Sequence, residues 1–157
     1  MFRVIFLYYL LSAMFMSYSE QFAENVATQF REILAEGLDI YDAVQSVDAF
    51  PIRGDRLYVG YSAAVINGSA HQFGTVIEAN IEGPVCFVLH LGRAEPYRGK
   101  GYGRQMYLCL EELVRRLRCK TINVSAAGSR PAYFESLGFT KKFPDDPNSI
   151  EYEKDLQ

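Results

Sequence analysis

Between Val85 and Arg118 the chain runs through a nearly all-apolar stretch, a turn with alternating glycines and an amphipathic helix. Val85 to Leu91 is apolar on both faces, which predicts a strand in the middle of a sheet. Gly99, Gly101 and Gly103 then punctuate the chain after Pro96. Met106, Leu110, Leu113, Val114 and Leu117 recur at helical spacing, and Arg115, Arg116 and Arg118 close the run, where cations suit the helix dipole. A buried strand feeding straight into a long helix calls for helices packed on a sheet.

The flanking sequence supplies the other elements. Ser19 is a cap before Glu20, and Phe22, Val26, Phe30 and Ile33 form one helical face that ends at Gly37. Ile40 to Val47 reads as a second short helix. Leu57 to Ile66 and Gly74 to Ile81 read as strands separated by the Asn67-Gly68 turn, and Glu82-Gly83-Pro84 turns into the central strand. After the long helix come a short strand at Thr121 to Ser125 and a short helix from Pro131 to Leu137, ended by Gly138. A closing hairpin, Phe139 to Phe143 with Ile150 to Tyr152, completes the chain. The 157 residues fit one domain, placed at 19–157, and the 14% aromatic content argues against disorder.

Residues 1–18 are set apart. Val4 to Met16 is an apolar run after Arg3. It is short for a bilayer span, which takes about 20 apolar residues. It reads as the core of a secretory signal, as an upstream stretch before a natural start at Met14 or Met16, or as an extra buried element.

Charge and cysteine usage narrow the function classes. The net charge of −3 and pI near 5.4 give no reason to expect nucleic acid as a partner. Cys86, Cys109 and Cys119 form no CxxC pair, and His71 and His90 are the only histidines, so no metal site is expected. Ser19 to Asp55 carries eight acidic residues against Arg31 and Arg53, while Arg93 to Lys120 carries eight basic against three acidic. That split suits an anionic ligand at the second segment and a cationic one at the first.

The segment Leu89 to Arg104 carries the chemistry. Its glycines strip side chains from the point where the backbone enters the helix. The first helical N–H groups lack internal partners and lie at the positive end of the dipole, so a phosphate or pyrophosphate fits there. Arg98, Lys100 and Arg104 add charge. No Lys-Ser or Lys-Thr follows, as a P-loop needs, and the glycine spacing is not that of a dinucleotide fingerprint.

Arg98-Gly99-Lys100-Gly101-Tyr102-Gly103 resembles the coenzyme-A-binding motif of the GNAT superfamily of N-acetyltransferases. Downstream, Ser129 to Phe139, with Gly138-Phe139 at its end, is similar to the later helix of the same family. The resemblance covers about Arg56 to Lys142 in element order. It implies an α/β fold of the α+β type: a central mixed, mostly antiparallel sheet flanked by about four helices. The family's usual first strand has no obvious counterpart.

The resemblance further implies acetyl-CoA as co-substrate. Backbone amides of Arg98, Gly99, Lys100, Gly101, Tyr102, Gly103 and Arg104 would hold the pyrophosphate, Leu91, Gly92 and Arg93 would pair with pantetheine, and Ser129 would assist. The reaction would be attack of a neutral amine on the thioester, with one group accepting its proton and another donating to the thiolate. Phe134 stands where many members place the donor Tyr, so its neighbour Tyr133 becomes the candidate. Phe87 stands where some place a Glu, so His90 becomes the candidate base, although strand alternation sets it opposite to Phe87. Glu78, Glu82 and Tyr61 are further base candidates, and Ser125 a hydrogen-bonding one. The expected protein is a cytoplasmic acetyltransferase, monomer or homodimer and not membrane-bound, acting on a small cationic amine or a protein amine. The alternative is a non-catalytic acyl-CoA-binding module for regulation or interaction.

Overall fold

A computed structural model describes residues 18–39, 43–53, 55–67, 70–93, 101–126 and 131–157. Helix α1 (Glu20–Gly37) comes first, followed by the strands β1 (Ala43–Ile52), β2 (Arg56–Asn67), β3 (Ala70–Glu82) and β4 (Val85–Arg93). Helix α2 (Tyr102–Arg116), strand β5 (Thr121–Ser125), helix α3 (Pro131–Ser136) and strands β6 (Thr140–Lys141) and β7 (Glu151–Asp155) complete the order. The strands form one sheet in the order β1-β2-β3-β4-β5-β7-β6. Every described neighbour pair is antiparallel except β4 with β5.

The expected mixed, mostly antiparallel sheet is therefore present, with three helices among the described residues rather than about four. One expected element is overturned. The helix expected over Ile40 to Val47 is replaced in its described part by a strand, because Ala43 onward pairs residue for residue with β2. Val44, Val47 and Ala49 leave only weak helical periodicity there, and the open edge of β2 captures the segment as a strand.

Ser19 caps α1 by accepting a hydrogen bond from the Phe22 N–H at 3.0 Å. Its inner face, Ala23, Val26, Phe30, Ile33 and Leu34, packs into a core shared with Leu57, Val59, Tyr61, Ile77, Ile81, Met106, Leu110 and Ile122. Gly37 ends the helix and also lets α1 approach α2: a Cβ there would lie 2.8 Å from the Cys109 Sγ. Both long helices cover the same side of the sheet. The other side carries Phe50, Tyr58, Glu78 and His90.

The sheet edge at β1 is guarded. Arg31 on α1 donates to the Val47 carbonyl at 3.3 Å, so that carbonyl faces away from β2. Strand alternation puts Pro51 on the same outer side, where its missing N–H breaks no ladder bond.

At the far end of the sheet, Glu111 of α2 is buried and anchors the C-terminus. It accepts from Arg115 Nη2 at 2.8 Å and from Lys154 Nζ of β7 at 2.9 Å. Lys154 also donates to the Leu137 carbonyl at 2.8 Å, and Arg115 to the Leu156 carbonyl at 2.6 Å. Burial alone would push the Glu111 carboxyl up, but the hydrogen bonds from Lys154 and Arg115 outweigh it and hold the group below its ordinary value.

Candidate active site

Strands β4 and β5 are hydrogen-bonded neighbours only from Val85–Thr121 to Val88–Val124. Beyond that rung β4 runs on to Arg93 with no strand on its far side among the described residues. A β-bulge coincides with the parting. Ala79 faces Val88 and Glu78 faces His90, so Leu89 has no partner on β3. A bulge of this kind bends its strand and increases local twist, which turns β4 away from β5. The expectation of a central strand holds for position, but not for burial on both faces. Leu89 is 55% exposed because the sheet has opened beside it.

The opened edge carries main-chain groups. The Gly92 carbonyl accepts from the Thr75 hydroxyl of β3 at 3.1 Å. Alternation then turns the peptide groups of Leu91 and Arg93 to the open side. At the foot of the gap lies a cleft of about 200 Å³ between Phe87 and Leu89 of β4 and Asn123 and Ser125 of β5. The Asn123 Oδ1 is buried without a hydrogen-bond partner.

Helix α2 begins beside this edge. Gly101 occupies its N-cap with φ 78°, a left-handed conformation that favours glycine, and no side chain caps the turn. Among the described residues, a Cβ placed on Gly101 would meet nothing within 4 Å. Helix geometry leaves the first-turn N–H groups, those of Gly103 and Arg104 among them, without acceptors inside the helix. Arg98, Gly99, Lys100 and Ser129 of the expected site, and the apolar run at 1–17, lie outside the described residues.

The candidate base occupies a place that simple alternation missed. Phe87 pairs with Asn80 and His90 with Glu78, and those two β3 residues share a face. The extra residue at Leu89 shifts the phase, so His90 and Phe87 lie on the same side of the sheet. The His90 side chain is 60% exposed, with Nδ1 3.9 Å from Glu78 Oε2. Tyr58 of β2 donates to the other Glu78 oxygen at 2.8 Å. Burial, and then the adjoining Glu78 carboxylate, push the Tyr58 phenol up to about 12, so it stays a donor at neutral pH. Sequence reasoning passed over Tyr58 and Asn123. Their partners across the sheet were the missing signal, and register is needed to see them.

The remaining candidates separate clearly. Glu82 pairs with Arg56 at the opposite end of the strands. Tyr61 is buried and donates to Gln45 at 2.9 Å. Phe134 is buried, its ring edge-on to Phe139, so the ordinary donor position is absorbed by the core. Tyr133 is partly buried at the start of α3, its ring edge-on to Phe134 and its hydroxyl enclosed. Burial pushes the thiols of Cys109 and Cys119 up to about 11, and Cys86 upward as well, which leaves all three inert at neutral pH. No group of three metal-ligating side chains occurs among the described residues, and no described helix is long and apolar enough to cross a membrane.

Comparison with known proteins follows the same lines. Residues 13–139 match the model of the Acetyltransferase (GNAT) family. A search of curated protein sequences returns no significant match. Among solved structures, the chain is similar to the PaiA N-acetyltransferase from Thermoplasma acidophilum in complex with coenzyme A. The TM-score is 0.50 at 18% identity, over 65% of this chain and 62% of that one. Nourseothricin acetyltransferase gives a TM-score of 0.51 at 14% identity, over 79% of this chain and 94% of that one. Tetrahymena GCN5 gives 0.50 at 15% identity, over 62% and 69%. At such identities the likeness is one of fold, and the chain spans about 62% of the length of the Thermoplasma protein.

Proposed function

The chain belongs to the acetyltransferase (GNAT) family, and on that premise we propose that it moves the acetyl group of acetyl-CoA to a primary amine by direct attack. The observation that carries the reading is the open edge of β4 set beside the glycine start of α2. A pantetheine chain can take the place of the missing strand, bonded to the peptide groups of Leu91 and Arg93 across Gly92. A pyrophosphate fits the first turn of α2, where Gly101 and Gly103 carry no side chain, and Arg98, Gly99, Lys100 and Arg104 would complete the site. The amides of Tyr102 and its neighbours would hold it, and Ser129 would assist.

Bound acetyl-CoA supplies an activated acyl carbonyl and a thiolate leaving group. The protein's part is placement and proton transfer. Main-chain N–H groups at the parting of β4 and β5 face the position where the carbonyl oxygen becomes negative. His90 takes the proton that the amine nitrogen sheds as its bond to carbon forms. Tyr133 gives a proton to the sulfur as the carbon–sulfur bond breaks. The acceptor is a small cationic amine or a protein amine, and the co-substrate places the reaction in the cytoplasm.

Calorimetric titration of acetyl-CoA and coenzyme A tests the reading. Saturable binding is expected, and Gly101→Glu, which sets bulk and negative charge at the phosphates, should abolish it in a protein that still melts cooperatively. Unchanged binding by that variant overturns the site. Tyr133→Phe should lower turnover with little change in cofactor affinity. Phe134 and Phe87, which stand where a proton donor and a base are usual, favour a second reading as a coenzyme-A-binding module. Binding without transfer to a panel of primary amines would establish that reading instead.

A further inference from the structure

The helix-free side of the sheet carries a built polar row beside the open edge. Asp48, Gly60, Glu78 and His90 are successive partners across β1 to β4. Glu78 stands between two glycine positions that keep the surface low. A Cβ on Gly60 would run into the Tyr58 hydroxyl, so the phenol lies over that glycine on its way to Glu78. A Cβ on Gly92 would lie 3.1 Å from His90 Nε2, so the imidazole lies over the other. Phe50 stacks on the Tyr58 ring at 4.6 Å and remains 48% exposed. The Glu78 carboxylate is thus fixed by a phenol, faced by an imidazole and flanked by a partly open aromatic pair, and 36% of its side chain is accessible.

A carboxylate beside exposed aromatic faces is the environment that an alkylammonium group prefers. It is the wrong environment for the amine that reacts, because a paired carboxylate keeps an amine protonated and without a lone pair. The reacting amine belongs at the open edge of β4, one strand farther on. Strands lie about 4.8 Å apart, so the Glu78 carboxylate and that edge are separated by roughly 5–10 Å. This is the span between the two amino groups of a short aliphatic diamine.

Resting on the acetyltransferase reading, we propose that Glu78, held by Tyr58, binds a second, non-reacting ammonium group of the acceptor, so that the acceptor is a dication whose two amino groups are about four carbons apart. His90 lies between the two positions. Asp48 adds negative charge on the same face.

The test uses the full chain, isotope-labelled, titrated with 1,4-diaminobutane and in parallel with 1-aminobutane, and followed by amide NMR. Both amines should shift the signals of Gly60, Glu78 and His90 saturably, and with acetyl-CoA present the dication should be acetylated with a kcat/KM at least tenfold above that of the monocation, whose one ammonium is held at Glu78 away from the thioester. Glu78→Gln, which keeps the shape and removes the charge, should erase that preference. Tyr58→Phe should weaken it severalfold. Equal acetylation of the two amines, shifts confined to α1, no shifts at all, or an unchanged preference in Glu78→Gln would each overturn the proposal. Calorimetry of acetyl-CoA on the same samples separates the two readings. Intact cofactor binding with no diamine preference sinks this inference alone, whereas loss of cofactor binding by the wild-type chain sinks the acetyltransferase reading.

Discussion

Replacing Glu111 by Gln isolates what the buried carboxylate contributes. The side chain keeps its volume, and only the charge and one acceptor oxygen are lost. In the folded protein the Glu111 side chain is 10% exposed and Lys154 19%, whereas Arg115 is 43% exposed. The Arg115 bond is therefore largely screened and counts for little. The Lys154 bond is different, because removing its anionic partner leaves the ammonium with neutral partners only, the Leu137 carbonyl and the face of the Tyr107 ring among them. Breaking a buried pair in this way costs about 3 kcal/mol. For a chain of this size that corresponds to a fall in Tm of roughly 6–12 °C. A double-mutant cycle with Lys154→Met, read by urea denaturation, should give a coupling of about 1.5 kcal/mol or more, since the double variant leaves no unpaired charge. The pH dependence has a definite sign. The Glu111 carboxyl is lower in the folded state than its ordinary 4.5, so the unfolded chain binds the extra proton first. Its contribution is present above about pH 4.5 and is lost as the pH falls through the lowered folded value. Glu111→Gln should flatten that part of the acid limb. A loss under about 1 kcal/mol, or additive single variants, would refute the reasoning.

Three further outcomes follow from local geometry. Ser19→Ala removes the cap on α1 and should lower stability by about 1 kcal/mol in urea, with no change in coenzyme A binding. Gly37→Ala sets a methyl group 2.8 Å from the Cys109 sulfur and should cost about 1–3 kcal/mol. Cys109→Ala in the same chain should recover part of that loss in a thermal melt. Gly101→Ala meets no neighbour among the described residues but must hold a left-handed backbone, so it should destabilise by about 1–2 kcal/mol.

Most of the elements were legible because their periodicities were local. The α1 and α2 faces, the strands β2 to β4 and the closing hairpin all follow from spacing and turn residues. Segment 43–47 was not, because a strand at a sheet edge needs a neighbour, and β2 is the neighbour that decides it. The site divides in the same way. The glycine turn into α2 could be read directly, since glycine acts through its own backbone. His90 was assigned to the wrong face, because a single bulged residue at Leu89 inverts the alternation and leaves no mark in the composition. Tyr58 and Glu78 are twenty residues apart, and only the register of β2 on β3 brings the phenol to the carboxylate. Phe134 looked like a missing catalytic tyrosine, whereas its ring is part of the core with Phe139 and Tyr107.

A sheet usually offers its unpaired main chain at its margins, where it can template contact with other chains. Here one margin is closed by Pro51 and the Arg31 side chain, and the other is a strand of two residues. Among the described residues, a further stretch of unclaimed strand backbone lies inside the sheet, beyond the Val88–Val124 rung. Recruitment of another molecule by strand pairing is thereby moved from the periphery to the interior, where only something as slender as a single extended chain can enter. Protection from self-association and selectivity for a narrow ligand are then two results of one arrangement, and a substitution that reopened the β1 edge would loosen the first without touching the second.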